Sequence, residues 1–247
     1  MKALLSSILA LGLASAQPTT TVIAVNDPRP LSEAIKKLEK ASGQPINYED
    51  APFAYAGDLV DKSDSMSHPP GVKVLLPKGG QLNVAFTTNE VADRAGTARV
   101  LQRLVTNFNK SYPDGPQFAV VDQNGLFYVV PKSSRAASGV VAPYTSPLDV
   151  PLSVTVKDAL AGDALRAILA AIQAKTGTKI YIGWSPFDTG LNVSQRKRVN
   201  ISTQTDTGRT LVTQLMQGLS PSLSWRMLTG APDPRYGDLR SFYLNIQ

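Results

Sequence analysis

Few residues of this chain have the types and spacing that chemistry needs. His68 is the one histidine, so it is the one side chain that ordinarily titrates near neutrality. It sits in Ser63-Asp64-Ser65-Met66-Ser67-His68-Pro69-Pro70. Serine, aspartate and histidine are the parts of a hydrolytic triad, but a triad is set by a rigid scaffold that brings distant residues together. Here all three fall within one stretch rich in Ser, Asp and Pro. The expectation is a solvated loop histidine, with a His68 hydrolase as the rival to be tested. Ser194-Gln195-Arg196-Lys197 fits S-x-x-K and Lys175-Thr176-Gly177 fits K-T-G, two motifs of penicillin-binding enzymes. Their order is reversed, their spacing is far too short, and no S-D-N lies between them. The K-T-G here is expected to end a helix. Glu49 and Asp50 are adjacent carboxylates, which an extended chain points to opposite faces.

Metal and phosphate chemistry find no footing either. The chain has no cysteine and one histidine, so neither thiolate zinc nor an H-E-x-x-H site is available. No Walker-type glycine loop and no G-x-G-x-x-G after a strand is present, and no G-x-x-G loop of a KH-type RNA binder. No catalytic residue, no cofactor and no metal is expected.

What remains is binding. Arg196, Lys197 and Arg198 form the densest basic cluster and lead into an apolar strand. Such charges either guard an edge strand from unwanted pairing or form a partner site. As a site, Arg196 and Arg198 offer bidentate contacts to carboxylates or phosphates. Trp184 stands just before a Pro-Phe corner and is the aromatic candidate for a contact. The expected binding residues are therefore Arg196, Lys197, Arg198 and Trp184. A polysaccharide or peptidoglycan binder is the alternative, with Tyr48, Tyr55, Trp184 and Tyr236 as stacking candidates.

The elements that must carry these residues repeat along the chain. Leu31 to Phe53 aligns with Leu165 to Phe187 without a gap, matching Leu31/Leu165, Gly43/Gly177, Ile46/Ile180, Pro52/Pro186 and Phe53/Phe187. Leu31, Ala34, Ile35 and Leu38 form an amphipathic stripe, as do Leu165, Ile168, Leu169 and Ile172. Each helix meets a glycine where left-handed geometry stops it. Each glycine leads to a short strand, Ile46-Asn47-Tyr48 or Ile180-Tyr181-Ile182. Second strands at Leu82 to Phe86 and Val199 to Ser202 precede second helices. Those helices carry the stripes Val100, Leu101, Leu104, Val105, Phe108 and Leu211, Val212, Leu215, Met216, Leu219. Hairpins close both halves, the first turning at Asn124-Gly125.

The fold class expected is α+β: two tandem small α/β sandwiches of β-α-β-β-α-β-β type, each with two helices on a small mixed sheet. The first spans residues 17–132 with a loop insertion at 54–70, the linker residues 133–147, and the second residues 148–247.

The N-terminus reads as a secretory signal over residues 1–16: Lys2, an apolar run from Leu4 to Leu13, then Ala14-Ser15-Ala16. That run is too short to span a bilayer, and no later segment is apolar enough, so no membrane span is expected in the mature chain. Hydrophobic residues are 43% and charged residues 18%, a globular composition. The net charge of +6 concentrates in residues 139–247, which hold 11 basic and 7 acidic side chains. Export argues against nucleic acid as the target of this excess, so an acidic protein face, anionic lipid or plain solubility is left to explain it.

The half-repeat resembles the short N-terminal domain shared by secretins and TonB-dependent receptors. Pro30-Leu31-Ser32-Glu33-Ala34-Ile35-Lys36-Lys37-Leu38 is similar to that family's first helix, with Gly43 as its stop. Arg209 to Leu219 is similar to its second helix, and Ser224-Trp225-Arg226 to the strand that follows. The first half departs from the pattern after its second helix, where Asn107-Phe108-Asn109 replaces Gly-x-Gly-Leu. The resemblance implies a non-catalytic periplasmic protein-contact domain with an envelope protein partner, linked to a secretion or TonB-type system. It implies neither a pore nor a receptor.

Overall fold

A computed structural model describes residues 19–67, 71, 73–183, 197–230 and the backbone of 240–245. The first half runs β1 (Thr20–Asp27), α1 (Pro30–Ser42), β2 (Ile46–Glu49), β3 (Leu59–Asp61), β4 (Leu75–Pro77), β5 (Gly80–Thr87), α2 (Arg94–Ser111), β6 (Phe118–Gln123) and β7 (Leu126–Pro131). A short hairpin follows, β8 (Ser133–Arg135) and β9 (Val141–Pro143). The second half runs β10 (Val154–Leu160), α3 (Ala161–Thr176), β11 (Ile180–Ile182), β12 (Arg198–Thr203), α4 (Gly208–Leu219), β13 (Ser224–Thr229) and β14 (Arg240–Asn245). The fold is mixed α+β.

Local chemistry explains the helix limits. Pro30 occupies the first turn of α1, where its missing N–H costs nothing. Leu31, Ala34, Ile35 and Leu38 are all buried, so the apolar stripe faces the core. Gly43 ends α1 at φ 67° and Gly177 ends α3 at φ 70°, the left-handed cap that an L side chain resists. Asp93 caps α2 by accepting from the Gly96 N–H at 2.6 Å. Asn124 and Gly125, at φ 53° and 76°, make the tight turn between β6 and β7.

Six strands form one sheet in the order β11-β14-β13-β2-β7-β6. In the first half β2 pairs with β7 in parallel, and β7 with β6 antiparallel. In the second half β11 pairs with β14 in parallel, and β14 with β13 antiparallel. A parallel pairing of β13 with β2 joins the two sets. The antiparallel ribbons β1–β5 and β10–β12 stand apart from this sheet.

Two cores lie on opposite faces of the shared sheet. Along β7, Phe127 and Val129 pack with α1 and α2, while the alternate residues Leu126 and Tyr128 pack with α3 and α4. The central sheet is thus covered on both sides, and Phe127 and Trp225 are fully buried. Each such large side chain contributes on the order of 1.5–3 kcal/mol of transfer free energy.

Each half was expected to hold a small sheet of its own. The structure instead hydrogen-bonds the two sets of strands into one. The segment 54–70 contains β3, which pairs with β4, and the segment 133–147 contains the β8–β9 hairpin. Both segments are rich in Ser, Gly and Pro, yet a three-residue strand needs few apolar side chains.

Candidate functional site

The β13–β2 seam is held by charged groups that water barely reaches. Arg226 donates from Nη2 to Glu39 Oε2 at 2.5 Å and from Nη1 to Ser32 Oγ at 3.0 Å and to the Ser32 carbonyl. Glu39 also accepts from the Ile46 N–H at 2.8 Å. On the other face of the sheet, Arg209 Nε donates to Glu49 Oε1 at 2.6 Å, and Ser146 Oγ donates to Glu49 Oε2 at 2.6 Å. Burial disfavours the Arg209 charge, but Glu49 and Asp149 outweigh it and hold the guanidinium more firmly protonated than usual.

Asp50 continues the seam. Its carboxylate accepts from Tyr48 Oη at 2.6 Å, Arg29 Nε at 2.8 Å and the Thr229 N–H at 3.3 Å. Arg29 Nη2 in turn donates to the Thr229 carbonyl at 2.6 Å. Burial pushes the Asp50 carboxyl up, opposed by the Arg29 charge. Burial and the neighbouring Asp50 push the Tyr48 phenol well up. Three donors converge on this buried carboxylate and tie the end of β2 to Arg29 and to β13.

Beside this cluster lies a pocket of about 130 Å³, lined among others by Arg29, Phe53, Lys78, Phe108, Tyr112 and Phe118. It is mostly apolar, and of its charged lining residues Arg29 pairs with Asp50 and Asp58 with Arg135. No group of three metal-ligating side chains occurs among the described residues.

The outer side of β6 is different. The hairpin closes on the Gln123–Leu126 pair, and antiparallel bonds alternate along the ladder. Gln123, Val121 and Ala119 therefore turn their N–H and C=O groups to β7. Phe118, Val120 and Asp122 turn theirs outward. The Gln117 carbonyl, which accepts from the Lys132 N–H at 2.7 Å, keeps the same phase. Phe118 is capped by one side chain: its N–H donates to Asn109 Oδ1 at 3.0 Å and its carbonyl accepts from Asn109 Nδ2 at 2.9 Å. Beyond that cap, no strand among the described residues pairs with the outward groups of Val120 and Asp122.

The basic cluster sits elsewhere. Lys197 is exposed and donates from Nζ to the Gly218 carbonyl at the end of α4. Arg198 is exposed and pairs with Asp158 Oδ2 at 3.0 Å and with the Asp158 carbonyl. Asp158 stands at φ 45° in the β10–β12 bulge, so Arg198 clasps that irregularity. Trp184 and Arg196 lie outside the described residues, as do His68, Ser194 and Tyr236. Of the stacking candidates, Tyr48 faces the core, and Tyr55 lies under the Arg135 guanidinium, 4.4 Å from ring centroid to Cζ.

Sequence reasoning missed the seam. Its signal was the run Asn47-Tyr48-Glu49-Asp50, where a strand carries acidic groups without an exposed face. Glu49 and Asp50 do point to separate partners, as adjacent strand residues must. No family model, no curated protein and no solved structure matches the chain.

Proposed function

We propose that this protein is a non-catalytic interaction module of the bacterial cell envelope, exported to the periplasm and built from two copies of one domain resembling that of secretins and TonB-dependent receptors. Its protein partner adds a strand to the outer side of β6. In strand addition, main-chain hydrogen bonds supply the affinity and alternate side chains the selectivity.

The observation that carries this reading is the β6 edge, where Val120 and Asp122 present unpaired outward groups among the described residues. The Asn109 cap on Phe118 limits how far an added strand can run, and so helps set its register. A link to a secretion or TonB-type system follows from the resemblance alone.

The test is capture from an envelope extract with folded protein as bait, beside a Val120→Pro variant. Proline removes the outward N–H of Val120 and leaves the bonds to β7 in place. The expected result is one envelope protein held by the parent bait and lost with the variant. Equal capture by both baits contradicts strand addition at this edge.

A further inference from the structure

We infer that the strand added at β6 is β11 of a second copy of this chain, so that the protein assembles head to tail through its sheet. This rests on the reading of the β6 edge as a docking surface and names its occupant.

The sheet order β11-β14-β13-β2-β7-β6 contains one pairing pattern twice: a parallel pair followed by an antiparallel pair. Within that pattern β11 takes the place of β2, and β13 the place of β6. The strands of the second set run opposite to those of the first, because β13 is parallel to β2 while β6 is antiparallel to β7. The second core also lies on the opposite face. One operation accounts for all of this: a half-turn about an axis in the sheet perpendicular to the strands, with a shift along that axis. Such an operation does not close on itself. It leaves a β13-like edge at one end, which is β6, and a β2-like edge at the other, which is β11. No described strand pairs with the outer side of either. A heterologous contact of this kind builds chains.

The seam inside the molecule is the template for the seam between molecules. Arg226 is the partner of Tyr48 across β13–β2. Reading the ladders across to β7 and β14, Ala119 stands where Arg226 does and Ile182 stands where Tyr48 does. The outward carbonyl of Met227 accepts from the Asp50 N–H at 2.8 Å, and Val120 holds the place of Met227. The Asn109 cap on the Phe118 N–H mirrors Asn47, whose Oδ1 accepts from the Trp225 N–H at 3.0 Å.

Side-chain exposure fits the same construction. Leu228 of β13 packs against the first core, on the face away from its own helices. Val121 holds the corresponding place on β6 and is 37% exposed. Asn47 of β2 is buried under the second half, while Tyr181, at the corresponding place on β11, is 37% exposed. Pairing β6 with β11 of a second copy covers both. Neither Ala119 nor Ile182 brings a charge that the new seam would have to neutralise.

The absence of native cysteine makes the test clean. Ala119→Cys and Ile182→Cys in one chain place thiols at partnered positions of adjacent copies, at the short Cα separation that a disulfide requires. Mild oxidation is expected to give a ladder of dimers, trimers and higher species on a non-reducing gel, while either single variant stops at dimer. No ladder beyond dimer from the double variant overturns the inference. Sedimentation of the unmodified protein over a hundredfold concentration range is expected to show mass rising past the dimer. A constant monomer overturns self-pairing, even where Val120→Pro still abolishes capture of a different envelope protein, which would leave the proposed function standing. Val120→Pro and Ile182→Pro, each verified as folded by circular dichroism, are each expected to be monomeric alone and to form dimers on mixing. A dimer from Ile182→Pro alone points to a symmetric β6–β6 contact and overturns the head-to-tail arrangement.

Discussion

Arg226 on β13 and Glu39 on α1 are 187 residues apart in sequence and meet as a buried ion pair at 2.5 Å. Each belongs to a different half, so the pair makes the halves depend on each other. Removing one partner of a buried pair leaves the other charge uncompensated, at a cost of about 3–5 kcal/mol. Glu39→Gln is therefore expected to lower unfolding stability by about that amount in urea titration. Tryptophan fluorescence and far-ultraviolet circular dichroism are expected to report one shared transition. Two separated transitions would mean that the halves fold independently.

Replacing both partners tests whether the pair stabilises or only specifies. Glu39→Met with Arg226→Leu removes both charges from the buried site, and paired apolar replacements of buried ions are often neutral. The double variant is expected to recover most of the stability that Glu39→Gln loses. A double variant as unstable as the single one would show that the hydrogen bonds of Arg226 to Ser32 and of Glu39 to the Ile46 N–H matter more than the charge balance.

Gly96 gives a prediction whose sign runs against helix propensity. Alanine in a helix is ordinarily better than glycine by about 1 kcal/mol. A Cβ at Gly96, however, would lie 1.7 Å from the Glu90 carbonyl oxygen, which is backbone and cannot swing away. Overpacking of this kind costs about 1–3 kcal/mol, so Gly96→Ala is expected to destabilise. A raised melting temperature would contradict the close approach of the Thr88–Val91 turn to α2.

Asp50 sets a pH dependence. Burial raises its carboxyl above the ordinary 3.8, against the opposing charge of Arg29. The native state thus holds this proton more tightly than the unfolded chain does. The contribution is fully present below the ordinary value and is lost as pH rises through the raised one. Stability of the parent relative to Asp50→Asn is expected to fall as pH rises through that raised value. A difference that grows with rising pH there would contradict the assignment.

Much of this local structure was readable in the chain. Gly43 and Gly177 had to end helices, and Asn124-Gly125 had to turn, because few other residues take those backbone angles. The stripes on all four described helices face the cores, since a 3.6-residue period has one apolar side. The seam was hidden because it lacks that pattern. All four residues of β2 are buried although two of them are Asn47 and Glu49, whose partners lie in the other half. Sequence periodicity assigns a face to a residue but does not say which distant strand will lie beside it. The expected contact residues Lys197 and Arg198 stand out by charge density; both are exposed, with Lys197 donating to the Gly218 carbonyl and Arg198 pairing with Asp158. The β6 edge carries no such flag, because an unpaired main chain leaves no mark on residue type.

The openness of that edge is the claim on which the rest depends, and amide hydrogen exchange reads it residue by residue. In dilute protein, the Val120 and Asp122 amides are expected to exchange fast, while those of Ala119 and Val121, bonded to β7, exchange slowly. Slow exchange at Val120 under those conditions would show the edge to be already covered, and would contradict the account.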